Sequence, residues 1–146
     1  MIIACTGHRP ERLSKIIADE DTFRQEIRNQ LEACHCTMLY SGMAQGVDQI
    51  FAQEAQKLDI PVICCFPYRR NNFHPDELSI MDKAADVRYI SEQYSKSCFA
   101  KRDIYMVDHC TRLLAVWDGI KSGGTWLTID YAMRTGKDIS FILGND

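Results

Sequence analysis

The sequence lacks the features that would anchor the protein in a membrane, export it or hold it on a nucleic-acid backbone. No apolar run approaches the roughly 20 residues that a membrane-spanning helix needs. The chain starts with a short apolar segment and has no basic leader of the signal-peptide type. Lys and Arg number 17 against 20 Asp and Glu, a net charge of -3 at pH 7, whereas nucleic-acid binding usually shows as a basic face. We therefore expect a cytoplasmic protein with no membrane partner, and we do not expect nucleic acid as its partner.

The two most familiar phosphate-binding motifs are also missing. No GxGxxG follows the first predicted strand, and no GxxxxGK(S/T) occurs anywhere in the chain. These motifs are typical of dinucleotide-dependent dehydrogenases and of P-loop NTPases. The sequence therefore does not favour either class of enzyme.

The seven cysteines form no recognisable disulfide or metal framework. Their number is odd, and Cys5, Cys64 and Cys65 lie in apolar segments of a chain long enough to build a core. Cys34 and Cys36 are separated by a single histidine, but zinc ligands usually come in spaced pairs from two segments, and no CxxC pair is present. We expect reduced cysteines in the core, no metal site and no required cofactor.

Strand-like and helix-like segments alternate along the whole chain. Strands are predicted at 1–6, 37–40, 62–66, 87–90, 112–117 and 139–143, and helices at 22–34, from the loop 41–48 to about 58, and at 75–85, 101–110 and 123–134. The segment 62–66 is apolar at every position, which is typical of a parallel strand covered on both faces. The alternation predicts a single α/β domain over 1–146, with a three-layer, doubly wound and mainly parallel sheet of Rossmann-like type.

Three glycine-containing loops follow predicted strands. They are 6–10 (Thr-Gly-His-Arg-Pro), 41–48 (Ser-Gly-Met-Ala-Gln-Gly-Val-Asp) and 117–125 (Trp-Asp-Gly-Ile-Lys-Ser-Gly-Gly-Thr). We expect them to share one edge of the sheet, because ligands of such folds bind outside the carboxyl ends of the strands. Glycine lets the backbone approach a ligand, and a helix start offers free N–H groups to an anion. The loops therefore predict a site for a small nucleotide-like ligand.

The candidate ligand-binding residues lie in and near these loops. They are Thr6, Gly7, His8, Arg9, Ser41, Gly42, Gly46, Asp48, Tyr68, Arg69, Arg102, Asp118, Gly123, Gly124 and Thr125. Arg9 suits a phosphate, but it can equally stay exposed or pair with Glu11. His8 either bonds the ligand or has a non-catalytic place in its loop. Asp48 either binds a ribose hydroxyl or pins its own loop by accepting N–H groups.

The other candidates also have two interpretations. Asp118 precedes a glycine, a pair that favours a tight turn, and Thr125 either meets a phosphate or caps its helix. Tyr68, Arg69 and Arg70 follow the third strand, where the ring either stacks on a base beside a phosphate-binding guanidinium or all three lie in a solvated loop. Arg102 opens a predicted helix and is positioned to reach into the site. No catalytic mechanism is visible from these residues.

The three loops together resemble the YpsA/YspA-like branch of the SLOG superfamily. The Gly-Met-Ala-x-Gly-x-Asp signature at 42–48 is the most specific match, and Trp-Asp-Gly at 117–119 followed by Gly-Gly-Thr at 123–125 is nearly as specific. The resemblance covers almost the whole chain. It implies a bacterial Rossmann-like domain that binds a nucleotide or nucleotide-sugar at the glycine loops, and at the level of the family it is compatible with a homodimer. Its wider relatives include cytokinin-activating phosphoribohydrolases, the DNA-processing protein DprA/Smf and sensor domains for ADP-ribose derivatives.

The hydrolase relatives carry the motif Pro-Gly-Gly-x-Gly-Thr-x-x-Glu, whose glutamate acts on the N-glycosidic bond. Here Ser122 stands for the proline, and Thr128 stands three residues after Thr125, where the motif has its acid. Asp130 is two residues further on and is rotated away by about 200° around the helix. This departure argues against hydrolysis. The acidic chain without extra modules is likewise a poor match to the DNA-processing relatives.

Three functions follow from these observations. The leading hypothesis is a binding or sensor domain for a nucleotide or an ADP-ribose-like nucleotide-sugar. The first alternative is hydrolysis of a nucleoside 5′-monophosphate at its N-glycosidic bond, with Asp48, Asp103, Asp118 or Asp130 as the acid. The second alternative is a protein-interaction module with vestigial glycine loops.

Overall fold

A computed structural model describes residues 1–142 and shows alternating strands and helices. The strands are β1 (Ile2–Thr6), β2 (Met38–Ser41), β3 (Val62–Tyr68), β4 (Asp86–Ser91), β5 (Arg112–Ala115) and β6 (Asp138–Phe141). The helices are α1 (Pro10–Leu13), α2 (Glu20–Ala33), α3 (Val47–Lys57), α4 (Pro75–Lys83), α5 (Cys98–His109) and α6 (Gly123–Arg134). The predicted α/β fold is confirmed.

The sheet has the strand order β4-β3-β2-β1-β5-β6, and every pairing in the described part of the chain is parallel. One apolar cluster joins α2, α3 and α4 to one face of this sheet, and a second joins α5 and α6 to the other. The helices change face where the strand order reverses, as right-handed crossovers require. The reversal leaves a crevice outside the carboxyl ends of β1 and β5.

The bounds of several elements differ from the predicted ones for local reasons. Asp19 accepts a hydrogen bond from the backbone N–H of Thr22 at 2.8 Å, and this cap starts α2 at Glu20. The short α1 was not predicted, although Pro10 occupies its first turn, where proline is favoured. α5 starts at Cys98, three residues before the predicted start, so Arg102 lies in its second turn.

Other differences concern the strand ends. β3 continues through Pro67 to Tyr68, two residues beyond its predicted end at Phe66. β5 ends at Ala115, two residues before the predicted end, because the chain turns toward α6. The predicted end of the last strand at residue 143 lies outside the described residues. In residues 1–142, no helix is both long and apolar enough to cross a membrane.

Candidate functional site

Two adjoining cavities open at the carboxyl edge of the sheet. The glycine-loop cavity, of about 510 Å³, is lined by Thr6, Gly7, His8, Arg9, Glu11, Arg12, Ala44, Asp48, Phe99, Arg102, Asp103, Gly124 and Thr125. The aromatic cavity, of about 360 Å³, is lined by Arg9, Gly42, Met43, Ala44, Gln45, Gln49, Phe66, Pro67, Tyr68, Arg70, His74, Glu77, Phe99 and Arg102. Both volumes fall in the range of small-molecule sites. The cavities share Arg9, Ala44, Phe99 and Arg102 as their common boundary.

Two of the predicted glycines hold the first and second loops against each other. A Cβ on Gly7 would lie 2.4 Å from Cγ1 of Val47, so only glycine fits under α3. Gly46 has a φ of 97°, and a Cβ there would lie 2.4 Å from the carbonyl oxygen of His8. The backbone N–H of Val47 donates to that same carbonyl at 3.2 Å. Gly7 still lines the glycine-loop cavity, whereas Gly46, predicted as a ligand contact, lines neither of the two cavities.

The second loop is fixed by hydrogen bonds within itself. The buried Ser41 hydroxyl donates to the backbone carbonyl of Asp48 at 2.8 Å and accepts from the N–H of Met43 at 3.2 Å. Oδ2 of Asp48 accepts from the N–H of Ala44 at 3.3 Å, as in the predicted loop-pinning role. The Ser41 hydroxyl is therefore occupied within its own loop, and Ser41 lines neither cavity, whereas Asp48 lines the glycine-loop cavity.

Asp48 is a buried acid among other charges. Burial raises its pKa to about 6, and the nearby Asp103 carboxylate adds to this, while the guanidinium of Arg102 opposes it. Burial also raises the pKa of Asp103, against the opposing pull of Arg102. The glycine-loop cavity is thus lined by two carboxyl groups, each of which has a pKa above that of an exposed aspartate.

Arg102 is the buried cation between the two cavities. Its residue surface is only 7% exposed. Its Nε donates to Oδ1 of Asp103 at 2.7 Å, and its Nη1 donates to the carbonyl of Gly42 at 2.6 Å. A Cβ on Gly42 would lie 2.9 Å from Nη1, so glycine is required for this approach. Nη2 donates to no group in the described part of the chain.

The donors on Nη2 face open space. Every fully buried side-chain nitrogen or oxygen in residues 1–142 has a hydrogen-bond partner. Since Nη2 of Arg102 has none there, it must be reachable from outside, and the spaces that Arg102 borders are the two cavities. A guanidinium with unused donors in a concave site is suited to a phosphate or carboxylate.

Arg9 is a second cation at the boundary. Its side chain is exposed, and it makes no hydrogen bond or ion pair within residues 1–142, so the alternative of a pair with Glu11 is not seen. His8, in contrast, is buried, and its Nε2 accepts from the N–H of Asp118 at 3.0 Å. Burial lowers the pKa of His8, although Asp118 opposes this. The neutral ring therefore joins the first loop to the third.

Asp118 and Gly123 brace the third loop and do not line either cavity. Asp118 accepts two hydrogen bonds from Arg12, both at 2.8 Å, and one from the N–H of Ile120 at 2.9 Å. These bonds hold the pKa of Asp118 below its ordinary value although burial acts to raise it. Gly123 has a φ of 86°, and a Cβ there would lie 3.1 Å from Nη1 of Arg12. The predicted tight turn is therefore present, and its carboxylate is already occupied.

The start of α6 opens into the glycine-loop cavity. Ser122 precedes it without a side-chain cap, so the first N–H groups of this 12-residue helix have no partner within the helix. The nearest atom to a Cβ on Gly124 would be Oδ2 of Asp103 at 4.0 Å, which leaves open space above the backbone. Thr125 is buried beside it, and its hydroxyl has no partner among residues 1–142. Helix N-termini of this kind favour anions.

The residues after β3 divide between the two faces of the strand. Tyr68 lines the aromatic cavity, as does Arg70, whereas Arg69 projects away and pairs with Glu92 at 2.9 Å. Side chains alternate along an extended chain, so Arg69 cannot share the face of Tyr68. The prediction placed Arg69 in the site, with Arg70 beside it, and the structure places Arg69 outside both cavities. Arg70, which pairs with Glu77, lines the aromatic cavity.

Thr6, at the end of β1, lines the glycine-loop cavity as predicted. The lining residues that the prediction missed include Phe99, Arg12 and Gln49. Phe99 lies in the first turn of α5, where the prediction still had a loop, and Arg12 lies in the unpredicted α1. Gln49 follows Asp48 on α3, and no sequence signal separates it from an ordinary helix residue. If the prediction had started α5 at Cys98, Phe99 would have been placed in the first turn of that helix, next to the cavities.

No protein-family model and no curated protein matches this sequence. Solved structures do match it. DNA processing protein A from Streptococcus pneumoniae is 19% identical with a TM-score of 0.74, over 98% of this chain and 50% of that chain. DNA processing protein A from Helicobacter pylori is 17% identical with a TM-score of 0.72, over 99% and 66% of the two chains. The Moco carrier protein from Chlamydomonas is 14% identical with a TM-score of 0.60, over 96% and 74%.

These likenesses concern the fold, because all three identities lie below 20%. The chain spans half the length of the first of these proteins. The matched proteins are members of the SLOG superfamily, to which the loops at 6–10, 41–48 and 117–125 pointed. The protein has the same Rossmann-like α/β fold as these solved structures.

Proposed function

We propose that the protein is a binding or sensor domain for a nucleotide or nucleotide-sugar, with a phosphate group held in the glycine-loop cavity. The observation that carries the proposal is the buried guanidinium of Arg102, a residue that lines both cavities and whose Nη2 makes no hydrogen bond within the described chain. The uncapped first turn of α6 contributes backbone donors, and Arg9 contributes a free cation at the rim. Together these groups form an anion site on one side of a concave space.

The charges of the cavity are compatible with this ligand. Of its acidic groups, Asp103 is already paired with Arg102, and Asp48 is held partly protonated near neutral pH by burial. A phosphate that enters the cavity therefore meets less negative charge than two fully ionised, unpaired aspartates would present. Hydrogen-bond donors in a site of low dielectric hold an anion more strongly than they do in water.

The fold comparisons are consistent with a nucleotide ligand but do not identify one. The Helicobacter pylori protein is described as binding single-stranded DNA, which is a chain of nucleotides. We propose that this shorter chain binds the single unit and not the polymer, since its net charge is -3. A single-stranded oligonucleotide is therefore the competing ligand against which this proposal is tested.

The first test closes the anion site without disturbing the core. Gly124→Val adds a branched side chain over the first turn of α6, at a position where a Cβ has no atom closer than 4.0 Å. We expect at least tenfold weaker binding of AMP, ADP and ADP-ribose in isothermal titration calorimetry. Leu127→Val, on the exposed side of the same helix, should bind like the wild type. Wild-type protein that binds none of these ligands, or binds an oligonucleotide far better, would refute the proposal.

The second test uses two exposed arginines that differ in position. Arg9 borders both cavities and has no partner in residues 1–142, whereas Arg69 lies outside them and pairs with Glu92. Arg9→Ala should weaken phosphate-containing ligands several-fold and leave the melting temperature unchanged, because an exposed cation contributes little to stability. Arg69→Ala should change neither. Equal losses of affinity in the two variants would mean that net charge alone attracts the ligand.

A second candidate function is hydrolysis of a nucleoside 5′-monophosphate, and the position of Asp48 favours it. Of the four acids considered, Asp118 is occupied by Arg12, Asp103 by Arg102, and Asp130 by Arg134 on the outer side of α6. Asp48 lines the cavity with a pKa raised to about 6, which suits a general acid near neutral pH. It would protonate the departing base while water adds to C1′ of the ribose.

Chromatography of AMP incubated with the protein tests this second function directly. Release of adenine and ribose 5-phosphate by the wild type, and its loss in Asp48→Asn, would establish the activity and the acid. Intact AMP after incubation with a protein that binds it would leave the binding function and reject the hydrolase.

A further inference from the structure

The aromatic cavity has a wall suited to a flat ring. Tyr68 and Phe99 both line it, and their rings meet edge to face with centroids 6.4 Å apart. Tyr94 contacts both rings from outside the cavity, with centroid distances of 5.6 Å to Tyr68 and 6.5 Å to Phe99. Phe99 is 39% exposed, so part of its ring surface is open. Open aromatic faces of this kind bind nucleobases by stacking.

Two side-chain amides border the same cavity with unused hydrogen-bonding groups. Gln45 is exposed and makes no side-chain hydrogen bond within residues 1–142. Gln49 donates through Nε2 to the carbonyl of Met43 at 3.1 Å, and its Oε1 has no partner in that part of the chain. A glutamine amide presents one acceptor and two donors, which match the edge of a base. The cavity therefore offers both a stacking surface and edge contacts.

The sheet sets the distance between this wall and the start of α6. Tyr68 ends β3 and α6 follows β5, and these strands are three places apart in the sheet order. Three interstrand spacings amount to about 14 Å. That separation accommodates an extended nucleoside 5′-phosphate with its phosphate at one end and its base at the other. Arg9 and Arg102, which border both cavities, lie between the two ends.

We propose that the aromatic cavity is the base subsite of the ligand whose phosphate lies at the start of α6. One nucleoside 5′-phosphate then spans both cavities, with its ribose beside Arg102 and its base against Tyr68 and Phe99. This inference rests on the proposed function, because it needs a phosphate in the glycine-loop cavity. It adds the orientation of the ligand and the residues that distinguish a nucleotide from a sugar phosphate.

The experiment compares AMP with ribose 5-phosphate by isothermal titration calorimetry. The wild type should bind AMP at least tenfold more tightly, because stacking of one base on an aromatic side chain is commonly worth that factor or more. Tyr68→Ala should remove about tenfold from the affinity for AMP and change that for ribose 5-phosphate by less than twofold. Gln45→Ala, at an exposed position that cannot prevent folding, should also weaken AMP alone. Tyr94→Ala is the matched control, because Tyr94 belongs to the aromatic cluster but lies outside the cavity.

Each outcome separates the inference from the proposed function. If ribose 5-phosphate binds as tightly as AMP, the base subsite does not exist and the phosphate site stands. If Tyr68→Ala weakens both ligands equally, or if Tyr94→Ala matches its effect on AMP, the base lies elsewhere and the inference is overturned. If neither ligand binds the wild type, the proposed function fails, and the base subsite fails with it.

Discussion

Among single residues, Asp48 and Arg102 are unusual because aspartate and arginine side chains mostly lie exposed on a protein surface. Both are at least nine-tenths buried, and both border the glycine-loop cavity. Arg102 fills part of its hydrogen-bonding capacity with Asp103 and Gly42, which holds the guanidinium in place for a ligand. Because the guanidinium of Arg102 is already ordered, a ligand that binds it loses little affinity to the entropy of ordering this side chain.

The raised pKa of Asp48 has a consequence for stability. The folded protein holds the proton up to about pH 6, whereas the unfolded chain releases it near pH 3.8, so the folded state binds more protons between these values. Stability from this group must therefore fall as pH rises through that window. Asp48→Asn removes the titration. Its free energy of unfolding, relative to the wild type, should rise by about 2 kcal/mol between pH 4 and pH 7, since one pKa unit corresponds to about 1.4 kcal/mol.

Urea unfolding of both proteins at pH 4, 5, 6 and 7 measures this difference. Curves of unfolding free energy that run parallel across the whole range would show that Asp48 titrates at its ordinary pKa. A difference that changes in the opposite direction would show that Arg102 outweighs burial at this carboxyl group.

Individual site residues were predictable where the loop alone determines their position. Gly124 and Thr125 line a cavity because a glycine pair at a helix start leaves the backbone open. Asp118 and Ser41 were not separable from ligand contacts in the sequence, since their partners, Arg12 and the backbone of Met43, are brought to them by folding. A sequence motif identifies a residue of the loop, but it does not show whether the side chain stabilises the loop or contacts the ligand.

Among the elements, the turn before α3 carries the strongest backbone requirement. Gly46 combines a φ of 97° with a neighbouring carbonyl that would lie 2.4 Å from a Cβ. Gly46→Ala should therefore cost about 3 kcal/mol or more, because the pair of φ 97° and ψ -129° is almost confined to glycine and its strain of about 1 to 3 kcal/mol adds to displacement of the backbone at His8. Gly136, after α6, is the matched control, with a φ of 73° and no atom within 4 Å of a Cβ.

Gly136→Ala should cost only the strain, about 1 kcal/mol. Chemical denaturation of the two variants gives both numbers. Equal costs at the two glycines would mean that the first loop shifts freely to make room, and that the contact between the first and second loops does not position the cavity.

Helices and strands were predictable to different degrees for physical reasons. α6 matches its predicted range, Gly123–Arg134, because a glycine pair opens it and Gly136 follows it. α1 was missed because a helix of 4 residues has too few positions to show a helical period. β3 was predicted too short because Pro67 is a poor strand former, and in this structure the strand nevertheless continues through it to Tyr68.

At the scale of the whole molecule, the sheet is enclosed on both faces and places its cysteines inside. Six of the seven cysteines are buried, Cys36 is partly buried, and all seven are free thiols. They occur on β1, on β3 and at the ends of α2 and α5, in both apolar clusters. This agrees with the predicted reduced core cysteines, and it makes thiol reactivity a measure of the packing of the entire domain.

The last prediction uses these thiols. Burial raises the pKa of Cys64 and Cys65 to about 12 and that of Cys36 to about 11, and only a thiolate attacks a disulfide reagent. Relative to an ordinary thiol of pKa 9.0, Cys36 should react about a hundredfold more slowly at pH 8. The native protein should therefore release less than one equivalent of thionitrobenzoate from Ellman's reagent within minutes, and the guanidinium-unfolded protein should release seven equivalents. Cys36→Ser should abolish the slow native reaction if that thiol is its source. Rapid release of two or more equivalents from the native protein would show that one of the two helical layers opens readily, in which case the cavities at the sheet edge would not be preformed.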